Sequence, residues 1–205
     1  MRDWEACYRN DETPWDKGYP APPLQELIDR HGPELWGDGP LLVPGCGFGH
    51  DVRLLATLDL PVLGLDISRT AIEKTLQIPG AGREWYEHGD FLDPDWHAGR
   101  HFSAIWEHTC FCAIEPARRA DYARSAAAVI QPGGTLAGVF YLNPYDPGEE
   151  RGGPPFEVTV DEVHDWFREW FEPVDGWVPQ NAYPGRHGRE WIGIFRRLEQ
   201  VRIAD

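Results

Sequence analysis

Short apolar runs alternate with segments of helical period along most of this chain, and the two periods predict its elements. Pro40 to Val43, Val62 to Asp66, Phe102 to Trp106, Thr135 to Leu142 and Trp191 to Arg196 read as strands. Leu24 to Arg30, Asp51 to Leu58 and Arg69 to Leu76 read as helices, the third capped by Ser68. Pro116 to Ile130 is a longer helix whose Ala120, Ala123, Ala127 and Ile130 share a face, closed by Pro132-Gly133-Gly134. Asp161 to Phe171 reads as an amphipathic helix through Val163, Phe167, Trp170 and Phe171. Clusters of Pro and Gly at Gly18 to Pro23, Gly37 to Pro40, Pro144 to Pro155 and Pro179 to Gly188 mark loops. Strands alternating with helices predict an α/β fold, a mostly parallel sheet with helices on both faces.

In such a sheet a ligand lies beyond the carboxyl ends of the strands. The first strand runs into Pro44-Gly45-Cys46-Gly47-Phe48-Gly49-His50. Gly45, Gly47 and Gly49 let the backbone turn sharply and lie close to a ligand that a Cβ would meet. Asp66 ends the next strand seventeen residues past Gly49, where a carboxylate can accept both hydroxyls of a ribose. The implied ligand contains adenosine. A dinucleotide fingerprint needs its third glycine at position 50, which is His50. The G-x-G-x-G spacing found instead is the pattern of sulfonium-cofactor methyltransferases. His88-Gly89-Asp90-Phe91-Leu92 adds an acid for an adenine amino group and an aromatic ring to cover the base. Glu107 follows another strand, so Gly45, Asp66, Asp90 and Glu107 converge at strand or segment ends.

Composition narrows the partners. The 205 residues fit one domain, 1–205, long enough for a core without disulfides. A formal charge of −15 argues against nucleic acid, which normally meets a basic face. The four cysteines, Cys7, Cys46, Cys110 and Cys112, form no disulfide framework. No apolar leader core opens the chain and no run of eighteen apolar residues exists, so neither secretion nor a membrane is expected. The expected setting is a reducing cytoplasm, the partner a small molecule, and the assembly a monomer or weak homo-oligomer. His108, Cys110 and Cys112 lie close in sequence, but without a further Cys-x-x-Cys or His-x-x-x-His pair no metal is expected.

Thr13-Pro14-Trp15-Asp16-Lys17-Gly18, Leu42-Val43-Pro44-Gly45-Cys46-Gly47, Gly64-Leu65-Asp66-Ile67-Ser68, Phe111-Cys112-Ala113-Ile114-Glu115-Pro116 and Gly152-Gly153-Pro154-Pro155-Phe156 together resemble the thiopurine-methyltransferase-like family. Within it the chain is most similar to the branch of small thiol and halide methyltransferases, over nearly its whole length. The resemblance implies a Rossmann-like class I fold with a seven-stranded sheet, S-adenosylmethionine as donor and S-adenosylhomocysteine as product. It implies that residues 1–38 cover the cofactor and that 143–160 form a loop over the acceptor. The family's amino-terminal aromatic contacts fall on Trp4, Tyr8 and Trp15, whose faces can attract a sulfonium or simply pack as a hydrophobic staple. Tyr8 stands where the branch commonly has tryptophan, and His108 where it often has tyrosine or arginine. The implied cofactor set is completed by Ile67, Asp90, Phe91, Glu107 and His108.

Methyl transfer from a sulfonium is an in-line displacement that depends on alignment and a dry site. A thiolate or halide acceptor needs no strong base, in keeping with a sequence that shows no Ser-His-Asp set. Glu107 and His108 are expected to face the methyl end, where His108 either takes a thiol proton or hydrogen-bonds the cofactor. Phe111, Tyr141 and Phe156 are candidates for an apolar acceptor pocket or for core packing. Arg186 or Arg151 can attract an anionic acceptor or remain solvated. The competing readings are an O- or N-methyltransferase of a secondary metabolite, a nicotinamide-dependent oxidoreductase, and a non-catalytic adenosine-binding module.

Overall fold

In the computed structural model, which describes residues 2–146, 148–149 and 151–199, the strands β1 (Leu41–Pro44), β2 (Pro61–Asp66), β3 (Arg83–His88), β4 (Phe102–His108), β5 (Ile130–Tyr141), β6 (Phe171–Trp177) and β7 (Glu190–Arg197) form one sheet. Its order is β3-β2-β1-β4-β5-β7-β6, with β7 antiparallel to both neighbours and the remaining pairs parallel. The expected mostly parallel α/β sheet is therefore present. Met1, residues 147 and 150 of the anticipated acceptor loop, and residues 200–205 lie outside the described residues.

Parallel strands buried on both faces need continuous apolar runs, and β1 and nearly all of β2 are buried. The helices are α1 (Trp4–Arg9), α2 (Pro22–His31), α3 (His50–Ala56), α4 (Arg69–Thr75), α5 (Pro94–His97), α6 (Arg119–Val129) and α7 (Val160–Phe167). Local chemistry fixes several of their starts. Pro22 opens α2, Ser68 caps α4 by accepting from the Ala71 N–H, and Thr159 with Glu162 forms a reciprocal capping box on α7. One apolar cluster packs α6 and α7 on one face of the sheet; another packs α2 and α3 on the opposite face. Each fully buried large side chain contributes roughly 1.5–3 kcal/mol, so the two-sided core holds the strand ends rigidly where the loops emerge.

Three elements differ from the expectation. Arg83–His88 is a full strand on β2, although its burial is only partial and no apolar alternation marks it. The helix expected to run to Phe171 stops at Phe167; Phe171 begins β6, pairing with Arg197. β5 starts at Ile130 and carries Pro132-Gly133-Gly134 within it, accommodated by a register shift against β4 between Phe102 and Ala104.

A row of small residues crosses the sheet on the α6/α7 face: Glu107 is in register with Gly138, Gly138 with Gly193, and Gly193 with Gly176. The Trp191 ring fills the space left at Gly193 and Gly176, and the Glu107 side chain lies over Gly138. Among the described residues, no helix is long and apolar enough to cross a membrane.

Candidate functional site

At the carboxyl end of β1 the chain turns through Gly45, Gly47 and Gly49, with φ of +63°, +52° and +71°. These left-handed values suit glycine. A Cβ on Gly47 would also stand 2.8 Å from the Tyr8 hydroxyl. The loop is tied to β2 by the Cys46 N–H on the Leu65 carbonyl (3.0 Å) and by the Gly47 N–H on Asp66 Oδ2 (2.9 Å). The Ser68 N–H donates to Asp66 Oδ1 at 2.8 Å. Each Asp66 oxygen thus accepts one backbone N–H and retains a further lone pair, as two adjacent hydroxyls would require. Burial pushes the Asp66 carboxyl up to about 6, against the opposing pull of the Ser68 and Gly47 N–H groups and His88.

A cavity of about 800 Å³ opens over this end of the sheet. Gly45, Gly47, Asp66, Ile67, Asp90 and Phe91 line its first half, while Gly49 sits behind the lining as the N-cap of α3. Asp90 Oδ1 accepts from the Leu92 N–H at 2.8 Å. Trp4, Tyr8 and Trp15 also line it. Their rings meet edge to face, 5.2 Å between Trp4 and Trp15 and 5.7 Å between Tyr8 and Trp15, and Tyr8 reaches Phe48 at 5.4 Å. A cation already lies against the two indoles: the Arg2 guanidinium, 5.3 and 5.0 Å from their centroids. α1 is fastened to α4 by Glu5, which accepts from the Ser68 and Thr70 hydroxyls and the Thr70 N–H. Those bonds hold the Glu5 carboxyl down at about 2. Lys74 adds a bond to the Tyr8 carbonyl at 2.6 Å.

The end of β4 corrects one expectation. Glu107 and His108 are consecutive in a strand, so they point to opposite faces of the sheet and only one can reach the cavity. His108 lines it; Glu107 is fully buried on the α6/α7 face. Glu107 Oε1 accepts from the Phe111 N–H at 2.7 Å and Oε2 from the Tyr122 hydroxyl, pinning the turn that follows the strand. Burial pushes its carboxyl up to about 7, despite those two hydrogen bonds. Its folded value exceeds the ordinary 4.5, so folding takes up a proton between the two values and stability falls as pH rises through that window. Replacing Glu107 by Gln, which keeps an acceptor for Phe111, is expected to remove a loss of about 1.4 kcal/mol between pH 6 and 8. Urea titrations of both proteins at the two pH values measure it, and equal pH slopes would refute it.

His108 Nδ1 lies 3.0 Å from Asp51 Oδ2. That oxygen also accepts from Trp106 Nε1 at 2.8 Å, while Oδ1 accepts from the Ala21 N–H at 2.7 Å. Burial by itself would raise the Asp51 carboxyl, but the charge of His108 and these hydrogen bonds bring it below its ordinary value. His108 stacks on Tyr183 with centroids 5.9 Å apart. Among the described residues its Nε2 has no hydrogen-bond partner.

The far half of the cavity is lined by Tyr141, Tyr183, Arg186, Cys112, Pro154 and Pro155. Arg186 pairs with the buried Glu190 at 3.1 Å and lies over the rings of Tyr141 and Tyr183. Burial pushes the Cys112 thiol up to about 12, which leaves it unreactive. Phe111 belongs to the core, and Phe156 is outside the lining, its N–H on the Cys112 carbonyl at 2.7 Å. Arg151 is exposed and pairs with Glu157. Asp51, Tyr183 and Phe48 are among the cavity residues that sequence reasoning missed. Asp51 alone carried a signal, as an acid in the first turn after the glycine loop.

The family model for thiopurine S-methyltransferase matches residues 1–201. A probable thiol methyltransferase 2 from Arabidopsis thaliana is 37% identical over 199 residues, covering 95% of this chain and 84% of its own. Thiocyanate methyltransferase 1 from Brassica oleracea is 34% identical over 202 residues with the same coverage. Among solved structures, one described under conversion of a disulfide bond into a thioacetal group during echinomycin biosynthesis superposes with a TM-score of 0.74 at 23% identity, covering 95% of this chain and 90% of that one.

Proposed function

Because this chain belongs to the thiopurine S-methyltransferase family, as an S-adenosylmethionine-dependent methyltransferase of soft nucleophiles, we propose that the cavity over the sheet holds donor and acceptor end to end. The reading gives Asp66 the ribose hydroxyls, Asp90 the adenine amino group, and Ile67 and Phe91 the base. The Gly45–Gly49 loop runs along the amino-acid end, and Trp4, Tyr8 and Trp15 form the roof. The compartment of His108, Tyr141, Tyr183 and Arg186 receives a small thiol, halide or related acceptor. The observation that carries the reading is Asp66, with each oxygen anchored by one backbone N–H and the residue lining the cavity.

Bound S-adenosylmethionine supplies a methyl group on a cationic sulfur, open to a nucleophile from behind. The chain's part is to orient and to exclude water. Apolar walls at Pro154 and Pro155 and the aromatic roof keep the path dry, where positioning contributes roughly 7–11 kcal/mol. Arg186, which lies over the rings of Tyr141 and Tyr183, is paired with Glu190, which favours a small acceptor over one held by a strong anionic handle on that side chain. The four cysteines are free, consistent with a reducing cytoplasm.

Mass spectrometry of the purified protein with S-adenosylmethionine and a panel of thiols, iodide, thiopurines, phenols and amines tests the acceptor class. Turnover of thiols or iodide ahead of phenols and amines is expected; methylation confined to phenols or amines would replace this reading with the O- or N-methyltransferase alternative.

A further inference from the structure

Asp51 and His108 form a pair that the transfer of a methyl group to an already anionic acceptor does not use. Asp51 sits in the first turn of α3, its two oxygens taking N–H groups from Trp106, Ala21 and His108. A carboxyl held below its ordinary range is an acceptor only, so His108 Nδ1 must be the donor of the 3.0 Å bond. In the uncharged form of the ring the lone pair is then on Nε2. That atom is buried and has no hydrogen-bond partner among the described residues, on a side chain that lines the cavity at the end of β4. The ring is held on one side by Tyr183, whose hydroxyl donates to the Tyr19 carbonyl at 2.7 Å. Orientation of an imidazole by a buried carboxylate, with the opposite nitrogen free, is the arrangement of a general base. An anionic acceptor gains nothing from a nitrogen lone pair beside a carboxylate, and the lining cation Arg186 is already paired with Glu190.

We propose that His108, oriented by Asp51, is the general base that takes the proton of a neutral thiol acceptor, so that this chain prefers un-ionised thiols to halides and pseudohalides. The inference rests on the reading of the cavity given above and names the acceptor class within it. In the step, Nε2 first accepts the thiol proton, and an electron pair of the thiolate so formed then makes the new bond to the methyl carbon. The pair of the breaking carbon–sulfur bond returns to the donor sulfur, which becomes the neutral thioether of S-adenosylhomocysteine. The proton on His108 passes to water when the products leave. His108 is the catalytic residue and Asp51 a positioning residue.

The test compares 2-mercaptoethanol with iodide in the wild type, His108→Phe and Asp51→Asn. Removing a general base costs roughly 10²–10⁴-fold, so the thiol-to-iodide ratio of kcat/KM is expected to fall about 100-fold or more in His108→Phe and by a smaller factor in Asp51→Asn. Imidazole added to His108→Ala is expected to restore thiol turnover. Independently of turnover, binding of 2-mercaptoethanol to the wild-type complex with S-adenosylhomocysteine is expected to give the ultraviolet absorbance of a thiolate, absent in His108→Phe. If His108→Phe fails to bind S-adenosylhomocysteine in calorimetry, His108→Gln, whose amide can still donate to Asp51, replaces it. An unchanged ratio together with an unchanged thiolate signal would overturn the base role while leaving the methyltransferase reading intact. A wild type that methylates neither acceptor would overturn both.

Discussion

Replacing Asp66 by Ala is expected to weaken S-adenosylhomocysteine binding by roughly a thousandfold, read by calorimetry. Two hydroxyls donating to a carboxylate are charge-assisted bonds, each contributing about 1.5–3 kcal/mol. The truncation also frees the Gly47 and Ser68 N–H groups, which the carboxylate holds at 2.9 and 2.8 Å, so the loop that follows β1 loses its anchor on β2. The carboxyl is pushed up to about 6 by burial, and only its ionised form offers an acceptor to both hydroxyls. Affinity is therefore expected to be level above that value and to fall by about tenfold per pH unit below it. Asp66→Asn, which keeps the shape and cannot titrate, is expected to bind weakly with no such slope. A wild-type affinity that stays flat from about pH 8 to 5, or an Asp66→Ala protein that binds within a few fold of wild type, would remove Asp66 from the donor site.

Adding a single methyl group at Gly138 is expected to destabilise the fold by about 3 kcal/mol, the upper range for overpacking, and to lower the thermal midpoint by roughly 6–12 °C. A Cβ there would stand 2.5 Å from the Glu107 Cβ and 2.9 Å from the Glu107 carbonyl oxygen. One neighbour is backbone in the middle of the sheet. The other belongs to a side chain fixed at both oxygens by Phe111 and Tyr122. Neither can yield without parting β4 from β5. Gly152→Ala, where the added carbon meets nothing within 4 Å, is expected to change stability by less than about 0.5 kcal/mol and serves as the control. Equal midpoints for the two variants would show that the sheet absorbs the carbon and would refute the clash.

The glycine loop, Asp66, Asp90 and the three amino-terminal aromatic residues were legible because each is a residue type at a strand end or a fixed spacing, and backbone geometry converts such spacing into position. β3 was not legible: Arg83-Glu84-Trp85-Tyr86-Glu87-His88 lies at the sheet edge, half-solvated, and alternation fades where neither face is dry. Phe171 extended the helical pattern of α7 because a helix turn and a strand start both accept an aromatic residue; its pairing with Arg197 across β6 and β7 decided the matter. Glu107 was misplaced for a different reason. Chemistry made both carboxylate and imidazole attractive, whereas strand alternation admits only one to the cavity. Asp51 escaped notice because its role comes from Trp106 and His108, more than fifty residues away, and no local pattern encodes a contact of that range.

The amino-terminal helix has a thermodynamic standing of its own. Six residues cannot sustain a helix in isolation, so α1 persists through Glu5 on Ser68 and Thr70, Lys74 on the Tyr8 carbonyl, and the ring contacts among Trp4, Tyr8 and Trp15. A piece held by so few bonds at the surface can melt locally while the seven strands stay intact. A ligand bound beneath those rings is then expected to pay for part of their ordering, and its affinity to be linked to local folding of residues 2–18 rather than to the stability of the sheet.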